Sequence, residues 1–463
     1  MKQVRIIQML MAVVMVLASG SCSSDDLSEI VDQNGKKTVK MEFVGKVISF
    51  DQQGPSKTKV QTRATSSSWN DGDKIYITFY NGSTRVPGEA TYNSASGWSV
   101  SYDGNLATGS NLKCEARYFV NATFSSSSLV SFNSNSEIYE DLNGTYAFSN
   151  GALTVTATLS PKTGRIRFTG KSGEKIYTTG ITVYTTFSPA INTFSTSNAM
   201  ITSTVTSNGS TPYIYGYFTD NDRNLGLVGS DYAFTRTCTS SMLNVGESGY
   251  MAIPSESSHN NWRNGLYVKA SGVEFKMIPV AGYSGGFFMM AETETTEALY
   301  ETVNGLSSTS QFPISNITNT EILKFIEILN NKTNLKFSLP SAAQWLYASK
   351  GGNKSQNYTY AGSNTPGDVA CYAGNCSSKQ KVRTKAPNEL GIYDMSGNVG
   401  EFVSDTYNGY NYVYGGCYKS ASNYITTTSA TYAYYNQWGV AGYSRSYSDK
   451  DVGAGFRLIL TCK

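Results

Sequence analysis

Two acidic side chains flank a glycine in the stretch Pro387–Phe402, PNELGIYDMSGNVGEF. Asp394 and Glu401 lie on either side of Gly397, which permits a sharp turn. Carboxylates and backbone carbonyls that converge at such a turn suit a hard cation, because Ca²⁺ takes about six to eight oxygen ligands. In the alternative interpretation, Asp394 and Asn398 accept hydrogen bonds from nearby backbone N–H groups and no ion binds. The residue types alone favour this second interpretation, since short motifs give many false positives.

The same stretch resembles the signature of the formylglycine-generating-enzyme (sulfatase-modifying factor) family, PN-x-(F/L)GLYDM-x-GNVWEW. Other segments resemble further motifs of that family and occur in the same order. They are Phe275–Val280, Gly285–Phe287, Glu294–Gly305, Phe337–Gly352, Gly415–Tyr418 and Gly455–Arg457. The resemblance covers residues 270–463 and implies a C-type-lectin-like α+β domain with little regular secondary structure.

The resemblance also implies a metal ion at the first stretch. Carried over by position, the side chains of Asp394 and Glu401 and the backbone carbonyls of Gly397 and Val399 would bind Ca²⁺. Together with the residue types, this favours a structural calcium ion. Such an ion would rigidify the domain and need not contact a ligand.

The residues that carry the family's known chemistry are missing. Its oxidases have two cysteines soon after the block that Gly415–Tyr418 resembles, and here no cysteine follows Cys417 in that region. A related branch binds iron through three histidines, whereas this chain has one, His259, which precedes the domain. We therefore expect a non-catalytic, binding version of the fold. The alternative is an oxidase in which Cys417 alone does the chemistry.

The first 21 residues have the features of a bacterial signal peptide. Lys2 and Arg5 precede an apolar run, Ile6–Leu17, that is too short to span a bilayer. Small residues then lead to Cys22, as in a lipobox, although Leu17 lies two places too early. We expect lipidation of Cys22 and anchoring in the outer membrane, with residues 22–38 as a polar tether. The alternative is ordinary secretory cleavage.

The composition excludes some classes of function. The 463 residues have a net charge of +3, only 15% are charged, and no basic block occurs, so nucleic acid is not an expected partner. Abundant Tyr and Gly are typical of an extracellular, β-rich protein.

Six cysteines follow Cys22, and an exported protein can form disulfides. Cys371 and Cys376 bracket a short turn, and Cys417 with Cys462 could join neighbouring strands. Half of a metal site at Cys371 and Cys376 is disfavoured, because no second pair has the required spacing.

Residues 39–263 read as strands. Alternating or β-rich runs occur at Lys74–Phe79, Ala152–Leu159, Arg165–Thr169 and Gly180–Thr186, with Asn-Asp-Gly turn signals nearby. We expect one β-sandwich, or two with a break near residue 160.

Within this half, QTRATSSSWNDGDKIYITF (Gln61–Phe79) resembles fimbrillin-like subunits of protease-assembled pili, as does Leu159–Thr186. In that family an Arg near the start of the mature chain is cut, which frees a groove for a strand from a neighbouring pilus subunit. Arg63 is the candidate here, and the alternative is an ordinary linker arginine. Strand donation gives an unpaired sheet edge a full ladder of backbone hydrogen bonds.

Tyrosines are concentrated between residues 407 and 435. Rigid aromatics among small polar residues make good recognition surfaces, and Tyr410, Tyr412, Tyr432 and Tyr434 are the candidates for binding a ligand. The alternative, which we favour for most of these rings, is that they pack the domain.

Three functions compete. The first is a surface lipoprotein, at the tip of a pilus, that presents a lectin-like domain to a glycan or to a host or bacterial protein. The second is the oxidase, and the third is a structural stalk or anchor subunit. The leader, the fimbrillin-like half and the missing catalytic cysteines together favour the first.

Overall fold

The structure, a computed structural model, describes residues 30–32, 35–48, 50, 63–64, 69–124, 129–219, 221–239, 242–253, 262–407, 410–427 and 454–462. Within these ranges, no helix is both long and apolar enough to cross a bilayer.

The N-terminal β region forms a closed barrel. Seven strands follow one another around it in the order β2, β11, β10, β7, β4, β5, β6, and β6 pairs again with β2. Strand alternation explains the core, because β11 buries Leu153, Val155, Ala157 and Leu159 and turns the intervening threonines outward. The strands up to residue 161 are β1 (Ile30–Val31), β2 (Lys37–Val47), β3 (Arg63–Ala64), β4 (Lys74–Asn81), β5 (Thr84–Asn93), β6 (Gly97–Tyr102), β7 (Gly109–Val120), β8 (Thr123–Phe124), β9 (Val130–Ser131), β10 (Glu137–Ser149) and β11 (Ala152–Pro161).

A second β region follows the barrel and has its own core around Ile166, Phe168, Ile176 and Leu227. Three small sheets surround it, in the orders β17-β12-β20, β16-β13-β18-β19-β21 and β15-β14-β9-β8. Its strands are β12 (Gly164–Thr169), β13 (Lys175–Thr179), β14 (Val183–Ser188), β15 (Thr193–Ser197), β16 (Ile201–Thr204), β17 (Ile214–Gly216), β18 (Asn224–Val228), β19 (Ala233–Thr237), β20 (Ser248–Ala252) and β21 (Arg263–Asn264).

The C-terminal domain combines short helices with two sheets. One sheet has the order β22-β23-β24-β29-β25, and the other has the order β27-β26-β28. The elements are β22 (Leu266–Ala270), β23 (Val273–Val280), β24 (Phe288–Ala291), α1 (Glu297–Val303), α2 (Asn319–Thr333), β25 (Phe337–Ser338), α3 (Ala342–Ser349), α4 (Pro366–Val369), β26 (Gly400–Tyr407), β27 (Tyr410–Tyr414), β28 (Ala454–Phe456) and β29 (Ile459–Leu460).

The helices begin at side-chain caps. Thr296 caps α1, and Ser341 forms a capping box with Gln344 at α3, as its sequence predicts. A second capping box, Thr318 with Glu321, starts α2. Helix α2 turns Ile322, Phe325, Ile326 and Leu329 toward the core of the C-terminal domain. The α+β class expected from the sequence is therefore confirmed.

Three details differ from the sequence-based expectations. In the expected N-terminal β-sandwich, the strands also close on themselves into a barrel. Strand β22 places Leu266–Ala270 in the C-terminal sheet, before residue 270, from which that domain was expected. Cys371 is bonded to Cys376, but Cys417 is not bonded to Cys462, because one follows β27 and the other follows β29 in a different sheet.

Candidate functional site

The 394–401 loop is fastened to the C-terminal end of the chain by a buried ion pair. Glu401 opens β26, and Arg457 follows β28, the parallel neighbour of β26. The guanidinium donates from Nη2 to Glu401 Oε1 at 2.6 Å and from Nε to Oε2 at 3.0 Å. The indole Nε1–H of Trp345 on α3 donates to the same Oε2 at 2.6 Å. Glu401 is 1% exposed and Arg457 is fully buried, so each charge is compensated mainly by the other.

A second buried carboxylate, Glu294, holds the loop from the other side. It lies between β24 and α1, and its Oε1 accepts the backbone N–H of Val399 at 2.9 Å. Its Oε2 accepts the side-chain amide of Asn398 at 2.8 Å. Burial raises the pKa of Glu294 well above its usual value, and the nearby charges of Asp394 and Glu401 raise it further.

Backbone geometry fixes the turn itself. Asp394 and Asn398 have φ values of 57° and 55°, in the left-handed region. Gly397 has a φ of 79°, and a Cβ there would overlap the carbonyl oxygen of Cys371. This position therefore requires glycine on both counts.

The loop's polar side chains bind backbone N–H groups. Asp394 Oδ2 accepts from Arg383 at 2.8 Å, and Asn398 Oδ1 accepts from Gln380 at 2.8 Å. Burial raises the pKa of Asp394 to about 6. This is the arrangement that the interpretation without an ion predicts.

The fit of Ca²⁺ to these residues is partial. Asp394 and Glu401 are close enough to interact electrostatically, but both oxygens of Glu401 accept hydrogen bonds from Arg457 or Trp345. No group of three or more His, Cys, Asp or Glu side chains suited to a metal occurs among the residues that the structure describes. Glu401 would have to leave Arg457 to act as a ligand, so calcium stays a prediction.

The structure describes only some of the other predicted site residues. Tyr412 is half-buried and packs against the core around Trp345, with its ring centroid 6.4 Å from that of Tyr414. The backbone of Tyr410 lies in β27 and that of Arg63 in β3, opposite Val47 of β2. Cys22, Tyr432 and Tyr434 lie outside the described residues.

A polar cleft of about 480 Å³ separates the second β region from the C-terminal domain. Asp231 and Tyr232 line one side, and Lys276, Asn353 and Tyr393 line the other. Within it Lys276 Nζ lies 2.9 Å from Glu292 Oε1, and Glu292 also pairs with Arg383, which lies outside the lining of the cleft.

Sequence reasoning missed the roles of Glu294 and Arg457. Both lie in segments that resemble family motifs, Glu294–Gly305 and Gly455–Arg457, but a linear motif does not reveal which side chains meet. Trp345 is buried in the core and is also a hydrogen-bond donor to Glu401.

Comparisons with solved structures give several partial matches. Treponema denticola variable protein 1 is 20% identical, with a TM-score of 0.34, over 42% of this chain and 98% of that one. PvdO from Pseudomonas aeruginosa is 14% identical, with a TM-score of 0.33, over 43% and 99%. A fimbrial protein from Bacteroides ovatus is 8% identical, with a TM-score of 0.26, over 63% and 77%.

Among curated proteins, the "Chaperone protein LppX" of Paenibacillus barcinonensis is 41% identical over 17% of this chain. The chain spans about a third of that relative's length, 35%. The sulfatase-modifying factor enzyme 1-like domain matches residues 194–461, more than half of the chain, beginning within β15 of the second β region. The buried Glu401–Arg457 pair and the loop that it fastens thus lie within the matched region, and the chain belongs to the sulfatase-modifying factor enzyme 1-like family.

Proposed function

We propose that this protein is a cell-surface lipoprotein that joins a pilus by strand exchange and presents its C-terminal domain as a non-catalytic binding module. The observation that carries the proposal is the position of β2. This strand precedes Arg63 in the chain and closes the barrel between β11 and β6.

The contacts of β2 are those of an exchangeable strand. It runs parallel to β11, from Met41 opposite Leu153 to Val47 opposite Leu159. It runs antiparallel to β6, from Lys37 opposite Tyr102 to Met41 opposite Trp98. Its Val39, Met41 and Val47 are buried in the barrel core.

A cut after Arg63 would separate β2 from the rest of the barrel. Departure of the strand would leave β11 and β6 with unpaired edges and would expose apolar core between them. Such edges readily take up another extended segment. A strand from a neighbouring subunit would restore both ladders, and this makes the partner a pilus subunit.

In the described part of the C-terminal domain, Cys417 is poorly placed for oxidation chemistry. Cys417 is fully buried in a turn, where its Sγ accepts from the backbone N–H of Lys419 at 3.4 Å. Cys371 is bonded to Cys376. These contacts support a binding role toward a glycan or a protein, with Tyr410, Tyr412, Tyr432 and Tyr434 as candidate contacts and Cys22 as the lipid anchor in the outer membrane.

The test is immunogold electron microscopy of native cells with antibody to residues 270–463. Gold is expected at filament tips, and Arg63→Ala is expected to move it to the cell surface. Lys57→Ala, in the same segment, is the matched control and is expected to leave the tips labelled. Gold over the outer membrane alone in wild-type cells would contradict a pilus role and leave a surface lipoprotein.

The proposal includes a structural calcium ion at the 394–401 loop. Glu294, Asp394 and Glu401 are buried near the single buried cation Arg457, and a bound cation would favour the ionised form of all three carboxyl groups. Calcium is expected to raise the melting temperature of the wild-type protein and not that of Asp394→Ala. Glu42→Ala, at an exposed position of β2, is the control. If the melting temperature of the wild-type protein is no higher with calcium than with a chelator, the turn holds no ion.

A further inference from the structure

Gly45 of β2 lies against the backbone of the parallel neighbour, β11. Gly45 pairs with Ala157 of β11. A Cβ on Gly45 would lie well inside van der Waals contact of the carbonyl oxygen of Ala157 and 3.0 Å from the carbonyl carbon. The obstacle is backbone within a ladder, which cannot turn aside as a flexible side chain can.

The other positions of β2 accept side chains. Val39, Met41 and Val47 fill the barrel core. Phe43 packs against Trp69 and Trp98, with ring centroids 5.9 and 6.1 Å away. Val44, beside the glycine, is 46% exposed and meets no such obstacle. The groove that holds β2 thus has a row of positions for apolar side chains and one position that has no room for a side chain.

We propose that the groove between β6 and β11, once β2 has left it, accepts only donor strands that have glycine at one position. The partner is an extended segment of another subunit with apolar residues at the positions of Val39, Met41, Phe43 and Val47 and glycine at the position of Gly45. This inference rests on the proposed strand exchange and adds a rule for which strands are accepted. Any other residue opposite Ala157 forces apart the ladder that holds the donor.

The test uses the full chain with the recognition sequence of a site-specific protease inserted after Arg63. After cutting, a fluorescent peptide with the sequence of β2, KTVKMEFVGKV, is added, and its binding is followed by anisotropy. The peptide is expected to bind the cut protein and not the uncut protein. A Gly45→Ala peptide is expected to bind about tenfold more weakly or worse, and the matched Val44→Ala peptide within about threefold of the original.

The reverse experiment places Gly45→Ala in the full chain. Once cut, this variant is expected to exchange its own β2 for the wild-type peptide faster than the cut wild-type protein does. Equal binding of the Gly45→Ala and original peptides would overturn the glycine rule and leave strand exchange standing. Failure of the original peptide to bind the cut protein would overturn strand exchange itself.

Discussion

Glu401 and Arg457 place opposite charges in a site that water does not reach. Because the two side chains lie fully inside the C-terminal domain, removal of one charge leaves the other buried without the group that pairs with it. Substitution of either residue of the pair is therefore expected to destabilise the folded loop.

Glu401→Gln is expected to lower the free energy of unfolding by about 3–5 kcal/mol, since Arg457 would stay buried without the carboxylate that pairs with it. Urea denaturation followed by circular dichroism measures the change. Glu274→Gln is the control, because Glu274 pairs with Arg263 at 2.8 Å at a half-exposed position and is expected to contribute less than about 1 kcal/mol. Equal losses of unfolding free energy in the two variants would show that the buried pair contributes no more stability than an exposed ion pair.

Glu294 predicts a pH dependence of stability. Its pKa is raised in the folded state, so the folded protein binds this proton more tightly than the unfolded chain does. The resulting stabilisation is fully present below the unfolded value of 4.5 and is lost as pH rises through the folded pKa. Glu294→Gln is expected to flatten the fall in stability above about pH 4.5, measured by thermal unfolding in EDTA.

The pKa of Asp394 is also raised, from 3.8 to about 6. Its titration is therefore expected to leave some fall in stability with rising pH in the Glu294→Gln variant. An unchanged pH profile in the variant would mean that Glu294 keeps its ordinary pKa.

At the scale of elements, α3 carries Trp345 to Glu401, and its start is fixed by Ser341. The Ser341 hydroxyl accepts from Gln344 N–H at 3.2 Å, and Gln344 Oε1 accepts from Ser341 N–H at 2.9 Å. Ser341→Ala is expected to cost about 1 kcal/mol of stability in the same urea experiment. Ser307→Ala, at an exposed loop position, is expected to change it by less than about 0.5 kcal/mol. A Ser341→Ala loss no larger than that would show that the cap is dispensable.

Local sequence predicted these elements well. The cap Ser341, the apolar face of α2 and the alternation of β11 all depend on neighbours within one turn or one strand. Barrel closure could not be predicted in this way, because alternation tells which face of β2 is buried but not that β6 and β11 are its partners. The contact of Glu294 with Val399 spans 105 residues, and no local pattern encodes it.

At the scale of the whole molecule, the second β region and the C-terminal domain share one core. Val228 and Ala233 of the former pack with Leu266 and Met277 of the latter. The two regions therefore share buried side chains, which holds the C-terminal domain in a fixed orientation on the second β region.

The whole protein is expected to lack oxidase activity. Purified protein, incubated with copper and oxygen, should leave the cysteine of a sulfatase-derived peptide unmodified, because Cys417 is inaccessible and has no second cysteine beside it in the sequence. Mass spectrometry of the peptide measures this, with a formylglycine-forming oxidase as the positive control. Formylglycine in the sample would restore the enzyme interpretation.

The direction of β2 has a mechanical consequence. A pull on the residues before Lys37 and on those after Pro161 acts at opposite ends of two parallel strands, β2 and β11. Their seven paired positions, Met41–Val47 with Leu153–Leu159, then carry the load together in shear and do not open one after another like a zipper. The barrel is therefore expected to resist mechanical unfolding when a force pulls the N-terminal end of the chain away from the C-terminal domain.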